Sequence, residues 1–247
     1  MRRCAVFDRL FGKFSKSAPP SAQICGRTDT GRLRPHNEDS FALFADHGLY
    51  LIADGMGGHR AGEVASRLAI ETVAGLCTAE ALGRIGNNPL EIEHFLARAF
   101  RAANEAVRQA AAEDPARRGM GTTLLAGLLV GDHLHTAHLG DSRCYHLTAG
   151  RLEQVTTDHN AGPGLTNVLT RAIGFPDDAD PEFHRRPVVA GDRILLCTDG
   201  LWNMVADSDI ETTLTAAETP EAACDRLVAA ANDAGGRDNI TVICIFL

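Results

Sequence analysis

Residues 122 to 155 read TTLLAGLLV, GD, HLHTAHL, GD, SRCYHLT, AG and RLEQV. Apolar or alternating runs are separated three times by a two-residue link containing glycine. Links this short join strands as tight hairpins, and hairpins pair antiparallel. The spacing therefore predicts strands at 122–130, 133–139, 143–147 and 152–155. Further strands are expected at 49–53 (LYLIA), 193–198 and 240–246. Helical periodicity covers 62–76, 90–112 and 222–234. The second of these begins after Pro89 and stops before Asp114-Pro115, the usual punctuation of a helix. Strands and helices come in clusters rather than in βαβ alternation, which predicts an α+β layered fold with antiparallel sheets. Continuously apolar strands such as TTLLAGLLV and ITVICIF imply sheets covered on both faces.

There are no repeats and no second linker, so residues 23–247 are expected to form one domain. Residues 1–22 differ in character. They carry five basic groups and one acid, while the chain as a whole has a net charge of −8. Val6, Phe7, Leu10, Phe11 and Phe14 share one helical face, and Arg2, Arg9, Lys13 and Lys16 the other. Two readings stand: a disordered leader ending in the Ala18-Pro19-Pro20-Ser21 linker, or a short helix that docks on an acidic partner or a membrane surface. The acidic balance argues against nucleic acid as a general partner. No run approaches the ~18 consecutive apolar residues of a membrane span, and the N-terminus lacks the apolar core of a signal peptide. The seven cysteines are odd in number and widely spaced, which argues for buried thiols in a reducing cytoplasm rather than disulfides or a zinc knuckle.

The chemistry-bearing signal is a recurrent acid at a strand end. Asp54 (LIADG), Asp141 (HLGDS) and Asp199 (LLCTDG) each follow an apolar run, and Asp238 (GRDNITV) precedes one. A fifth acidic site, Glu38-Asp39, stands just before a strand in RPHNEDSFALF. Each acid alone suits a turn. Acids that converge repel one another unless a cation neutralises them, and hard oxygen donors without His or Cys suit Mg²⁺ or Mn²⁺. Asp54 opens ADGMGGHRAGE, where glycines let other groups approach the backbone. This segment is no P-loop, because the GK[ST] ending is missing.

In order along residues 24–247 stand TDTGRLRPHNED, ADGMGGHRAGEVAS, GTTLLAGLL, HLGDSRCY, TDH, LTRAIG, GDRILLCTDGL and GGRDNITV. The chain thereby resembles the metal-dependent serine/threonine protein phosphatases (PPM, type 2C) in their bacterial form. The resemblance implies a four-layer αββα sandwich of two antiparallel sheets flanked by helices. It implies two or three Mn²⁺ or Mg²⁺ ions. Asp54 matches the bridging ligand. Asp199 and Asp238 match ligands of the first metal, and Asp39, with Glu38 beside it, the acid serving the second. The Gly55 carbonyl matches a backbone ligand. Asp141 matches the acid of a third, weaker site, which Asn203 in place of a further aspartate would weaken. Arg34 matches the phosphate-binding arginine, whose planar fork suits phosphate. His59 matches the proton donor to the leaving group.

The expected activity is hydrolysis of phosphoserine and phosphothreonine in proteins by a water bridging two metals. The expected partners are phosphorylated proteins and an opposing Ser/Thr kinase, and the expected state is a cytoplasmic monomer. A catalytically silent binding module and a small-molecule phosphomonoesterase are the alternatives. The loop 161–168 is shorter than the family's usual flap, which leaves substrate selection open. His133, His135 and His138 are read as structural or surface residues, Trp202 as packing, and Arg143 as ordering the metal-bearing loops.

Overall fold

The computed structural model describes residues 22–57, 61–162, 165, 168–175 and 179–247. Residues 1–21 of the leader and His59 lie outside the described residues. The elements in chain order are β1 (Gln23–Asp29), β2 (Asp39–Phe44), β3 (Leu49–Met56), α1 (Ala61–Leu76), α2 (Ala79–Ile85) and α3 (Pro89–Glu113). Then follow β4 (Gly121–Thr122), β5 (Leu124–Val130), β6 (His133–Leu139), β7 (Arg143–Thr148) and β8 (Arg151–Gln154). The chain closes with β9 (Glu182–Pro187), β10 (Arg193–Cys197), α4 (Asp199–Trp202), α5 (Asp207–Ala216), α6 (Pro220–Asp233) and β11 (Ile240–Phe246).

Two antiparallel sheets form. One runs β1-β11-β10-β7-β8; the other runs β2-β3-β5-β6-β9, with β4 paired to β3. Strand alternation divides the core into three apolar layers. Tyr50, Ile52, Leu125 and Leu134 meet Ile194, Leu196, Ile243 and Ile245 between the sheets. Leu49, Leu51, Leu124 and Ala126 turn the other way and pack under α1 and α3, against Ala65, Ala69, Phe95 and Phe100. Leu195, Cys197, Val242 and Cys244 face Leu201, Ile210, Leu214 and Leu227 of α4, α5 and α6. Helix, sheet, sheet, helix is the predicted four-layer order, and burial on both faces explains why these strands are apolar throughout. The six described cysteines are free and buried. No described helix is long and apolar enough to cross a membrane.

One strand connection differs from expectation. The first and third short links make hairpins, β5 to β6 and β7 to β8. The link Gly140-Asp141 does not, because β6 belongs to one sheet and β7 to the other. The chain crosses between the sheets there. The expected strand 122–130 is also broken at Thr123, whose hydroxyl accepts the backbone N–H of Asp54 at 2.9 Å instead of serving as an ordinary strand residue.

Candidate active site

The strands bring their acidic ends to one edge of the sandwich. A cleft of about 510 Å³ there is lined by Arg34, Glu38, Asp54, Gly55, Thr123, Asp141, Asp199 and Asp238, among others. A larger concavity of about 770 Å³ lies between α2 and the far end of β5, with mostly apolar walls and two acids, Asp46 and Glu80, against the five of the cleft. Size therefore does not mark the site; the gathering of charge does.

Each acid is placed by its backbone. Asp54 ends β3 with its N–H on Thr123 and its carbonyl accepting the Thr122 hydroxyl at 2.8 Å. Gly55 follows because nothing larger fits: a Cβ there would stand 2.2 Å from the Gly62 carbonyl oxygen and 2.6 Å from that of Glu38. This close approach is what the glycine-rich stretch provides. Asp199 opens α4, two residues beyond the end of β10. Asp238 stands two residues before β11 and accepts Arg34 Nη2 at 2.6 Å. Asn239, which the sequence did not mark, ties the loop 30–38 to this edge. Its amide donates to the carbonyls of Thr30 and His36, both at 2.9 Å, and its oxygen accepts the Glu38 N–H at 2.8 Å. Asn203 donates to Asp199 Oδ2 at 3.1 Å.

Asp39 and Glu38 separate in space. Glu38 lines the cleft, whereas Asp39 lies behind it, directly across the strand pair from Asp54. Asp39 Oδ2 accepts the hydroxyls of Thr198 at 2.9 Å and Thr241 at 2.6 Å. Those two threonines were not singled out from sequence, because only the pairing of β10 with β11, and the stacking of their sheet on the one that holds β2, brings them to Asp39.

The carboxylates strain against one another. Burial raises Asp141 to about 7, helped by the nearby charges of Asp199 and Asp158. Burial likewise raises Asp39 to about 7 against the pull of its threonine donors, and Asp199 to about 6 with Asp238 adding to the rise. Asp54 is raised well above the usual range by burial and then by Asp39, Asp199, Asp238 and Asp141. Asp199 Oδ1 is buried with no hydrogen-bond partner. An unpartnered carboxylate oxygen amid mutually repelling acids, all of them hard donors, fits a magnesium- or manganese-type cation.

A second cluster does not fit a metal. His138, His159 and Glu182 offer donor atoms within 4.8 Å of one another. But the rings of His138 and His159 are stacked 4.6 Å apart and only 12° from parallel. A metal lies in the plane of each imidazole that binds it, so two nearly parallel stacked rings cannot share one ion. Each ring also has another task. His138 Nε2 donates to the Thr157 carbonyl at 2.9 Å, and His159 Nδ1 accepts the Gly140 N–H at 3.2 Å. The structural reading of His138 agrees with this.

The Protein phosphatase 2C family model matches residues 33–233. The serine/threonine phosphatase stp of Listeria monocytogenes is 35% identical over 89% of this chain and 93% of its own. The structure of the Mycobacterium tuberculosis serine/threonine phosphatase PstP/Ppp superposes with a TM-score of 0.82 at 36% identity, covering 92% of this chain and 98% of that one. The PstP catalytic domain in complex with two manganese ions gives a TM-score of 0.81 at 37% identity, covering 91% of this chain and 97% of that one. The chain belongs to the protein phosphatase 2C family, the enzyme class its sandwich and acidic cleft describe.

Proposed function

We propose that this chain is a divalent-cation-dependent serine/threonine protein phosphatase. The observation that carries the reading is the convergence of Glu38, Asp54, Asp141, Asp199 and Asp238 on one cleft that also holds the Arg34 guanidinium. The named activities of its relatives, and the two manganese ions of the PstP complex, support it.

The residues fit two cations, or three, in these roles: Asp54 shared, Asp199 and Asp238 on one side, Glu38 and the Gly55 carbonyl on the other, and Asp141 with Asp199 and Asp238 for a weaker ion. Asp39 supports the set from behind, by holding its charge against the threonine hydroxyls and opposite Asp54. When bound, paired divalent cations lower the pKa of water and neutralise phosphoryl charge. Arg34 binds the phosphate. It is half exposed, and among the described residues only Asp238 tethers it, through one nitrogen of its fork. His59 donates the proton to the departing Ser or Thr oxygen. Substrates are phosphorylated proteins. An opposing Ser/Thr kinase, a cytoplasmic location and a monomeric state complete the proposal.

The test is phosphate release from a phosphothreonine peptide with and without millimolar Mn²⁺, beside the Asp199→Ala variant. Mn²⁺-dependent release that vanishes in the variant is the expected result. No release by folded, Mn²⁺-loaded protein would favour a silent binding module. Release from sugar or nucleotide phosphates in preference to the peptide would favour a small-molecule phosphomonoesterase. His59→Ala should slow alkyl phosphates more than aryl phosphates, since only the former need a proton on leaving; equal slowing would remove His59 from this role.

A further inference from the structure

Asp141 and Asp199 face each other from different elements, one in the crossing between the sheets and one at the start of α4. Something must set their separation, because neither side chain is bonded to the other. A hydrogen bond from Trp202, whose ring Arg143 covers, joins the two.

Trp202 lies three residues after Asp199 in the same helical turn. Its indole Nε1–H donates to the backbone carbonyl of Asp141 at 3.0 Å. The indole face is covered by the Arg143 guanidinium, whose central carbon stands 3.7 Å from the ring centroid. That guanidinium is itself locked on three sides. Its Nε and Nη2 reach the two oxygens of Asp158 at 2.9 and 2.7 Å. Its Nη1 donates to the Tyr145 hydroxyl at 2.9 Å, and that hydroxyl donates to Asp207 at 3.0 Å. Both members of the Arg143–Asp158 pair are 16% exposed, so a two-pronged ion pair here holds its geometry far better than a surface pair. The indole is therefore gripped by a fixed plane, and its one donor is spent on the peptide that carries Asp141. Packing alone would need the ring but not the N–H.

We propose that Trp202, held in place by Arg143, is a positioning residue that sets the Asp141 carboxylate relative to Asp199 and so tunes the cation affinity that Asp141 contributes. The proposal rests on the reading of Asp141 and Asp199 as cation ligands. Losing the bond frees a peptide in a two-residue crossing, and a ligand that is no longer held in place binds more weakly.

The chain contains one tryptophan, so Trp202 can be replaced throughout by β-(3-benzothienyl)alanine, which puts sulfur where the N–H was and keeps the shape. Trp202→Phe is the genetic counterpart. Mn²⁺ binding is measured by calorimetry on the wild type, each replacement, Asp141→Ala and the double variants, with melting in EDTA to verify folding. The expected result is a three- to tenfold weaker Asp141-dependent Mn²⁺ binding step, on the scale of one lost hydrogen bond, with the tighter binding unchanged. The Mn²⁺ concentration for half-maximal peptide hydrolysis should rise by a similar factor, with KM for the peptide unchanged. In the Asp141→Ala background the replacements should add nothing. Equal weakening with and without Asp141, or unchanged binding in the benzothienyl protein, would overturn the proposal. If Asp141→Ala alone left Mn²⁺ binding intact, the ligand assignment would fall and the proposal with it; that failure is recognised because it shows in the parent variant and not in the Trp202 replacements.

Discussion

The dipeptide Gly-Asp occurs twice within eleven residues, at 131–132 and at 140–141, each time after a strand. The first turns β5 into β6 within one sheet; the second carries the chain from β6 to β7 across to the other sheet. Both glycines have positive φ, +61° and +103°. There the likeness ends. Asp132 is exposed, and its bond with His133 holds its carboxyl below the ordinary value. Asp141 is buried and raised to about 7. Two identical dipeptides thus hold acids of opposite electrostatic character, and what separates them is the destination of the following strand. A hairpin returns its turn to solvent. A crossing passes its turn over the edge of two sheets, where the other strand ends already hold acids.

The comparison breaks most sharply at the glycines. A Cβ on Gly140 would stand 2.5 Å from Thr123 Cγ2 and 3.1 Å from the Thr123 backbone, whereas one on Gly131 would meet nothing nearer than the Asn87 amide at 3.7 Å. Gly140→Ala should cost about 3–5 kcal/mol from strain and overpacking together. Gly131→Ala should cost about 1 kcal/mol, for its left-handed backbone alone. Urea denaturation of the two variants measures the gap, and equal losses would sink the account.

The acids themselves give the next largest effect. In metal-free protein, Asp39 and Asp141 titrate at about 7 and Asp199 at about 6, against an ordinary 3.8. Between that ordinary value and these, the folded state holds protons that the unfolded chain has released. Each of these acids therefore contributes stability in EDTA that is lost as pH rises from about 4 to its raised value, against the opposite contribution of the buried His135 and His138, whose rings are held down to about 4. Asp141→Asn should raise the metal-free stability at pH 8 by about 2–4 kcal/mol and flatten the slope, while weakening Mn²⁺ binding. A stability difference in EDTA between Asp141→Asn and the parent that does not grow from pH 4 to pH 7 would contradict the raised value of Asp141. The smallest effect is expected at the other turn. Asp132→Asn should leave the stability and the Mn²⁺ binding of the parent unchanged, because its bond to His133 lies in solvent.

Much of the fold was legible because its signals are local. The hairpins β5–β6 and β7–β8 follow from their two-residue links, and Ala149 and Gly150 both adopt the positive φ that such a tight turn requires. The central strands showed themselves by continuous apolarity. The edge strands were harder. β9 reads EFHRRP and is half-buried or exposed along its length, so its pairing to β6 leaves little trace in composition. α5 buries only Ile210 and Leu214, one contact row too thin for a periodicity argument. In the site, the strand-end acids announced themselves, and so did the glycine after Asp54. The place of Asp39 behind Asp54 and the tasks of Thr198, Thr241, Asn239 and Trp202 did not.

By itself, then, the sequence determined the layered antiparallel architecture, the family resemblance and the set of acids around which the site is built. These depend on turn chemistry, alternation and motif order, which are properties of neighbouring residues. Only the tertiary structure decided which acids face the cleft, which one stands behind it, and which Gly-Asp turn carries an acid that matters. Burial and charge–charge repulsion depend on distance in space, and Asp54, Asp141, Asp199 and Asp238 meet only because two sheets stack with their strand ends along one edge.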